Sequence, residues 1–237
     1  MYNERGYIEG APLRLDRWNE IVSDQPGGVI ITAGGVPPGF LMVQNFLAPQ
    51  VCDAIVAECD QQLGEQHTVA SSGADLSPQR SDTRTSEFVD VRSLNTDVIG
   101  IVKHIFANVV GHHFQKGIDW FELPEILRYR EGGEYKPHAD ADNWDPAKRE
   151  WTRVLDRDYS ILLYLNEGYT GGEIDFPNFG LKLAPKKGLL IAFPSDARYV
   201  HAARPVTSGV RYALVSWAAA KGTLRTSLEP RPHSIRM

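Results

Sequence analysis

Apolar side chains recur with two different periods along this chain, and the change of period divides it. From Pro49 to Leu63, the residues Val51, Ala54, Ile55, Cys59 and Leu63 follow the spacing of one helix face. A second helix is predicted from Thr96 to His113. Its apolar stripe is Val98, Ile101, Val102, Ile105, Val109 and Val110, and Asn95 or Thr96 serves as its cap. Upstream, Val29–Thr32 and Phe40–Val43 are β-rich runs separated by a Gly/Pro turn, and residues 64–84 read as a long polar loop. After residue 118 the texture becomes short β-branched and aromatic runs between Gly, Pro, Asn and Asp turns. They fall at 124–130, 159–165, 172–176, 181–184, 188–193 and 211–217.

Short strands in series, without helices between them, are expected to pair antiparallel and not as βαβ units. The predicted class is α+β: an antiparallel double-stranded β-helix (jelly roll) buttressed by N-terminal helices. The chain reads as a single domain over 1–237. Supporting strands and helices occupy 1–118, the β core 119–218 and a C-terminal tail 219–237, frayed from Leu228 to His233.

The 237 residues are 42% hydrophobic and 23% charged, an ordinary globular mixture. No run approaches the ~18–20 continuous apolar residues that cross a bilayer, and Met1-Tyr2-Asn3-Glu4-Arg5 lacks a secretory pattern. A cytoplasmic protein with no membrane partner is therefore expected. The net charge of −5 argues against nucleic acid as a partner. The charge is unevenly placed, with 12 basic and 20 acidic residues in 61–180 but 10 and 2 in 181–237. That contrast reads as balance between packed sheets plus one functional arginine. Cys52 and Cys59, seven helical residues apart, stand roughly 10 Å from each other, beyond the reach of a disulfide. Two reduced, buried thiols suit a reducing compartment.

The sharpest local signal is Tyr129-Arg130-Glu131-Gly132-Gly133-Glu134-Tyr135-Lys136-Pro137-His138-Ala139-Asp140. On an extended segment His138 and Asp140 project from the same face. Alone the pair is a weak signal, equally read as two polar residues on a strand. His201, beyond several strand runs, supplies a third candidate ligand. Two imidazoles and a carboxylate on one face of a metal suit non-haem Fe(II) better than zinc. Asp142 shares the strand face, as an outer partner or an alternative ligand to Asp140. Arg211 lies ten residues after His201 among apolar neighbours, and a buried guanidinium requires an anion. That anion is a structural carboxylate by default, or one end of a dicarboxylic cosubstrate if a metal trio lies nearby. His104, His112 and His113 fall on the second helix and carry no catalytic expectation.

Together these segments resemble the iron(II)- and 2-oxoglutarate-dependent oxygenases, specifically their prolyl 4-hydroxylase-like branch. The likeness runs through residues 129–140, Leu163-Tyr164-Leu165-Asn166 and Gly171-Gly172-Glu173-Ile174-Asp175-Phe176-Pro177. It continues through Pro185-Lys186-Lys187-Gly188, Ala192-Phe193-Pro194, His201, Pro205-Val206 and Gly209-Val210-Arg211. Weaker similarity reaches Asn45-Phe46-Leu47, Cys52 and Arg84-Thr85-Ser86. The resemblance implies His138, Asp140 and His201 as iron ligands. It implies Arg211 and Tyr129 as contacts of 2-oxoglutarate, and Tyr135, Arg157 and Trp217 as substrate-facing groups. Fe(II), 2-oxoglutarate, O2 and the reductant ascorbate are the cofactors and co-reactants it brings. Gly-Gly-Glu-Ile replaces the family's Gly-Gly-Glu-Thr, which changes a group near the cosubstrate.

The implied reaction hydroxylates a prolyl residue of a peptide or protein, with 2-oxoglutarate decarboxylated to succinate. The segments 64–84 and 142–158 are then expected to act as covers over the site. Hydroxylation of a free amino acid or other small molecule is the alternative within the same chemistry. A non-catalytic jelly-roll binding protein is the alternative outside it. Iron-dependent succinate formation separates the last from the first two.

Overall fold

Two antiparallel sheets of unequal size carry the chain, as seen in a computed structural model that describes residues 38–62, 84–227 and 229–237. It also describes the backbone of 65–66, 68–70 and 78–80. The predicted run at Val29–Thr32 and the arm before it lie outside these residues. In chain order the elements are β1 (Leu41–Val43), α1 (Pro49–Asp60), β2 (Glu87–Asp90) and α2 (Val98–His104). Helix α2 continues through a π-helical stretch, Ile105–Val110, and a last turn, Gly111–His113. Next come β3 (Ile118–Phe121), β4 (Glu125–Tyr129), β5 (Tyr135–His138), β6 (Asp142–Asp145) and β7 (Glu150–Arg153). The series closes with β8 (Tyr159–Tyr164), β9 (Ile174–Phe176), β10 (Leu181–Leu183), β11 (Leu190–Pro194), β12 (His201–Ala203) and β13 (Arg211–Ala220).

The large sheet runs β1–β11–β8–β13–β4–β2, with β3 pairing the far end of β13. The small sheet runs β10–β9–β12–β5. From β4 onward the chain passes back and forth between these two sheets, staying in the small one only for the β9–β10 hairpin, which is the double-stranded β-helix that the strand series predicts. Helices α1 and α2 pack Ile55, Cys59, Val102 and Phe106 with Ile126, Ile161 and Leu214 of the large sheet. Between the two sheets, Phe40, Phe176, Phe193 and Tyr199 form an aromatic cluster whose Phe40–Phe176 rings meet edge to face at 4.7 Å.

The elements differ from the predicted ones in several places. The first helix stops at Asp60, short of the predicted Leu63. The second is capped by Asp97, whose carboxylate accepts from Gly100 N at 2.8 Å. Asn95 and Thr96 lie before that cap and are tied to α1 instead, their backbone N–H groups and the Thr96 hydroxyl donating to Glu58. Within 64–84, where a loop is predicted, Thr68–Ala70 pairs with Pro78–Arg80, and Glu65–Gln66 pairs with β2.

The C-terminal tail, whose residues from Leu228 to His233 read as frayed in sequence, is tied down on both sides of that stretch. Strand β13 runs on to Ala220, and Asp156 accepts from Thr226 N and Ser227 N. Ile235–Arg236 then pairs with β3. The stretch between Asp140 and Tyr159 forms the β6–β7 hairpin, in which Trp144 faces Trp151 across the strands.

Candidate active site

Strand pairing brings the candidate ligands together. His138 and His201 are register partners between β5 and β12, and Asp140 follows β5 by two residues. Ligating atoms of the three lie within 4.8 Å of one another. His138 Nε2 is 3.6 Å from Asp140 Oδ1, and His201 Nε2 is 3.7 Å from Asp140 Oδ2. Each ring is oriented through its other nitrogen: His138 Nδ1 lies 2.9 Å from the Lys136 carbonyl and His201 Nδ1 3.0 Å from that of Tyr199. A carbonyl accepts only, so each Nδ1 carries the proton and each Nε2 offers a lone pair to the centre.

Burial pushes the His201 imidazole down to about 4, so it is neutral at pH 7, the form that binds a metal. Burial would by itself raise Asp140. His201, His138 and the Arg157 guanidinium outweigh it and hold the carboxyl well below the usual range. Asp142 turns away to accept from Ala197 N at 2.8 Å, and it is not in the ligand group. Two nitrogens and one ionised oxygen converging from one side, with no cysteine, fit Fe(II) as the donor set.

Arg211 begins β13, opposite Tyr129 of β4, and is buried. Its Nη1 donates to the Gly172 carbonyl at 2.6 Å, and its guanidinium lies 4.1 Å over the Tyr129 ring. No carboxylate among the described residues pairs with it, and its Nε is buried without a partner, as is the Tyr169 hydroxyl. A guanidinium in this state lacks the anion that burial demands. A carboxylate of 2-oxoglutarate fits that need, since the same pocket is lined by His138, Asp140, His201 and Arg211.

The three substrate-facing candidates surround this pocket in different ways. The Tyr135 ring stacks on His138, with centroids 3.5 Å apart. Trp217 lines the pocket, and the Arg157 guanidinium covers its ring at 3.7 Å. Arg157 is not a solvated loop charge. Its Nε and Nη2 donate to Glu122 at 2.6 Å each, and its Nη1 donates to the Asp140 carbonyl at 3.1 Å.

Sequence reasoning passes over three further contributors. Arg84, which lines the pocket 4.9 Å from the Tyr135 ring centre, comes from the part of the chain read as support. Tyr164 lines the pocket from the end of β8, and Glu122 is the anion of Arg157. The first two lie inside the Arg-Thr-Ser and Leu-Tyr-Leu-Asn segments, which carry the signal without a role. Wider clefts on the outer face of the small sheet and beside the start of α1 gather no ligand trio among the described residues.

Residues 124–219 match the family described as the 2OG-Fe(II) oxygenase superfamily. Prolyl 4-hydroxylase 1 of Arabidopsis thaliana is 27% identical over 211 residues, covering 78% of this chain and 70% of that protein. Prolyl 3-hydroxylase 2 of Homo sapiens is 37% identical over 89 residues, 34% of this chain and 13% of the relative. In fold, the chain is similar to the viral collagen prolyl hydroxylase of Paramecium bursaria Chlorella virus-1 in its 2-oxoglutarate complex. The TM-score is 0.57 at 24% identity, over 76% of this chain and 96% of the other.

Proposed function

The chain belongs, through residues 124–219, to the 2OG-Fe(II) oxygenase superfamily, and on that premise we propose that it hydroxylates a prolyl residue of a peptide or protein. The observation that carries the reading is the buried Arg211. Among the described residues no carboxylate pairs with it, and it lies in the pocket where His138, Asp140 and His201 converge. When bound, Fe(II) and 2-oxoglutarate supply the oxidation of a substrate C–H by O2, with 2-oxoglutarate converted to succinate and carbon dioxide.

The chain's own residues would prepare that chemistry. His138, Asp140 and His201 would hold the metal through two imidazole nitrogens and one carboxylate oxygen. Arg211 grips the distal carboxylate of 2-oxoglutarate, and Tyr129 fixes the guanidinium from beneath its plane. Leu127, Leu162 and Val215 line the same pocket and exclude water around the cosubstrate. Tyr135 and Trp217 present faces to the substrate, while Arg157 braces Trp217 instead of reaching outward. The β6–β7 hairpin, which follows directly on Asp140, is the proposed cover over the opening, while most of the 64–84 segment expected to share that role lies outside the described residues. Ascorbate serves as reductant, and the cytoplasm, which suits two free buried thiols, is the location. Among the described residues no helix is long and apolar enough to cross a membrane.

The position of attack on the proline ring has two readings. The longer similarity is to a 4-hydroxylase and supports C4. The higher local identity, 37% over 89 residues, is to a 3-hydroxylase and favours C3. The deciding experiment supplies Fe(II), 2-oxoglutarate and proline-containing peptides, and measures succinate together with a +16 Da product. Amino-acid analysis of that product separates 3- from 4-hydroxyproline. Succinate and a +16 Da product with free proline but with no peptide would overturn the peptidyl reading.

A further inference from the structure

Two buried hydroxyls beside the ligand trio have no part in the chemistry above. Ser160 lies on β8, opposite Phe193 on one side and Trp217 on the other. Ser195 follows β11, and both serines are about 1% exposed. Hydroxyls in so apolar a place are costly to bury unless paired. They pair in one chain: Ser160 Oγ is 2.6 Å from Asp140 Oδ2 and 2.7 Å from Ser195 Oγ.

The direction of that chain follows from counting hydrogens. An ionised carboxylate only accepts, so the single Ser160 hydrogen goes to Asp140. The Ser160 oxygen must then accept from Ser195, and each bond polarises the next. Residues just outside the same two strands also hold the backbone around Asp140. Ser195 accepts the Ala141 N–H at 2.9 Å, and Arg157 donates to the Asp140 carbonyl. The torsion that would otherwise be loose is the rotation of the carboxylate itself, whose preferences are broad. A donor fixed on Oδ2 removes that freedom.

We infer that Ser160, polarised by Ser195, is a positioning residue that sets the rotation of the Asp140 carboxylate and so presents Oδ1, the oxygen facing His138, to the metal. This rests on the metal-centre reading above. The relay touches neither substrate nor cosubstrate, so its role shows in metal binding and not only in turnover.

The test is a titration of the metal-free full chain with Mn(II), with free Mn(II) read by electron paramagnetic resonance. Ser160→Ala is expected to weaken Mn(II) binding about 10–100-fold, and Ser160→Thr, which keeps the hydroxyl, to restore most of it. Ser195→Ala leaves the first donor in place and is expected to weaken binding less. A purely structural role would lower the melting temperature of Ser160→Ala but leave Mn(II) affinity unchanged, and that result overturns the inference. Should Ser160→Ala fail to fold, Ser195→Ala decides, and Mn(II) affinity equal to the unmodified chain overturns it there. If the unmodified chain itself binds no Mn(II), the metal-centre reading fails, a result distinct from either.

Discussion

Arg211 and Tyr129 face each other directly across the pairing of β13 with β4, and the guanidinium lies 4.1 Å over the tyrosine ring. The strand register itself therefore aims the arginine. Arg211→Ala is expected to raise the KM for 2-oxoglutarate about tenfold or more, the scale of a lost charge-assisted pair. Arg211→Lys keeps the charge without the fork and should fall between. Initial rates at saturating Fe(II) check this, and an unchanged KM in the alanine variant would refute the assignment.

Gly172 offers a subtler route to the same arginine. It sits at φ +67°, and an added Cβ would lie 3.3 Å from Arg211 Cδ and 3.2 Å from a Val206 methyl. Its carbonyl is also an acceptor for Arg211. Gly172→Ala should raise the KM for 2-oxoglutarate more than it alters Mn(II) affinity. Both alanines are strained at positive φ, but Gly171→Ala, whose Cβ would lie 2.3 Å from the Pro205 carbonyl oxygen, should lower thermal stability more and affect the KM for 2-oxoglutarate less selectively. Paired measurements of KM and melting temperature separate the two.

The Arg157–Glu122 pair is buried, with each side chain about 12% exposed. Glu122→Ala strands a guanidinium beneath Trp217 and is expected to cost about 3–5 kcal/mol of stability. Removing both charges, as Glu122→Leu with Arg157→Met, should cost less than the single change. Urea unfolding of the three proteins tests the ordering.

Burial pushes the Cys59 thiol up to about 12 and the Cys52 thiol to about 11. Neither forms thiolate at ordinary pH, and reactivity follows the thiolate. Ellman's reagent at pH 8 should find essentially no thiol in the folded protein and both after denaturation. Rapid native labelling would contradict the packing of α1.

What the sequence discloses here follows the range of each physical signal. His138 and Asp140 are two apart on a strand, and their shared face is a local property that period alone reveals. That His201 returns opposite His138 depends on which strands pair, and only the ordered set of motifs from 124 to 218 implies it. Helix α1 is legible from its stripe. The cap of α2 is not, because three candidate cap residues stand in a row and the contact that ties Asn95 and Thr96 down is to Glu58, some 37 residues away. Arg157, implied as a substrate-facing group, is likewise seen to brace the site only once Glu122, just after β3, is placed against it. The Ser160 hydroxyl is invisible to pattern, since a serine in a buried strand carries no periodic signature.

The pairing of Ile235–Arg236 with β3 has a consequence for the protein's behaviour in concentrated solution. Strand β3 is bonded on its other side to the end of β13, so this short pairing covers what would otherwise be an open row of backbone donors and acceptors. An uncovered edge invites a second molecule to add its own strand. Removing residues 234–237 should therefore convert a well-behaved chain into one that self-associates as concentration rises, with the metal trio left intact. Light scattering alongside Mn(II) binding would show the two properties part company.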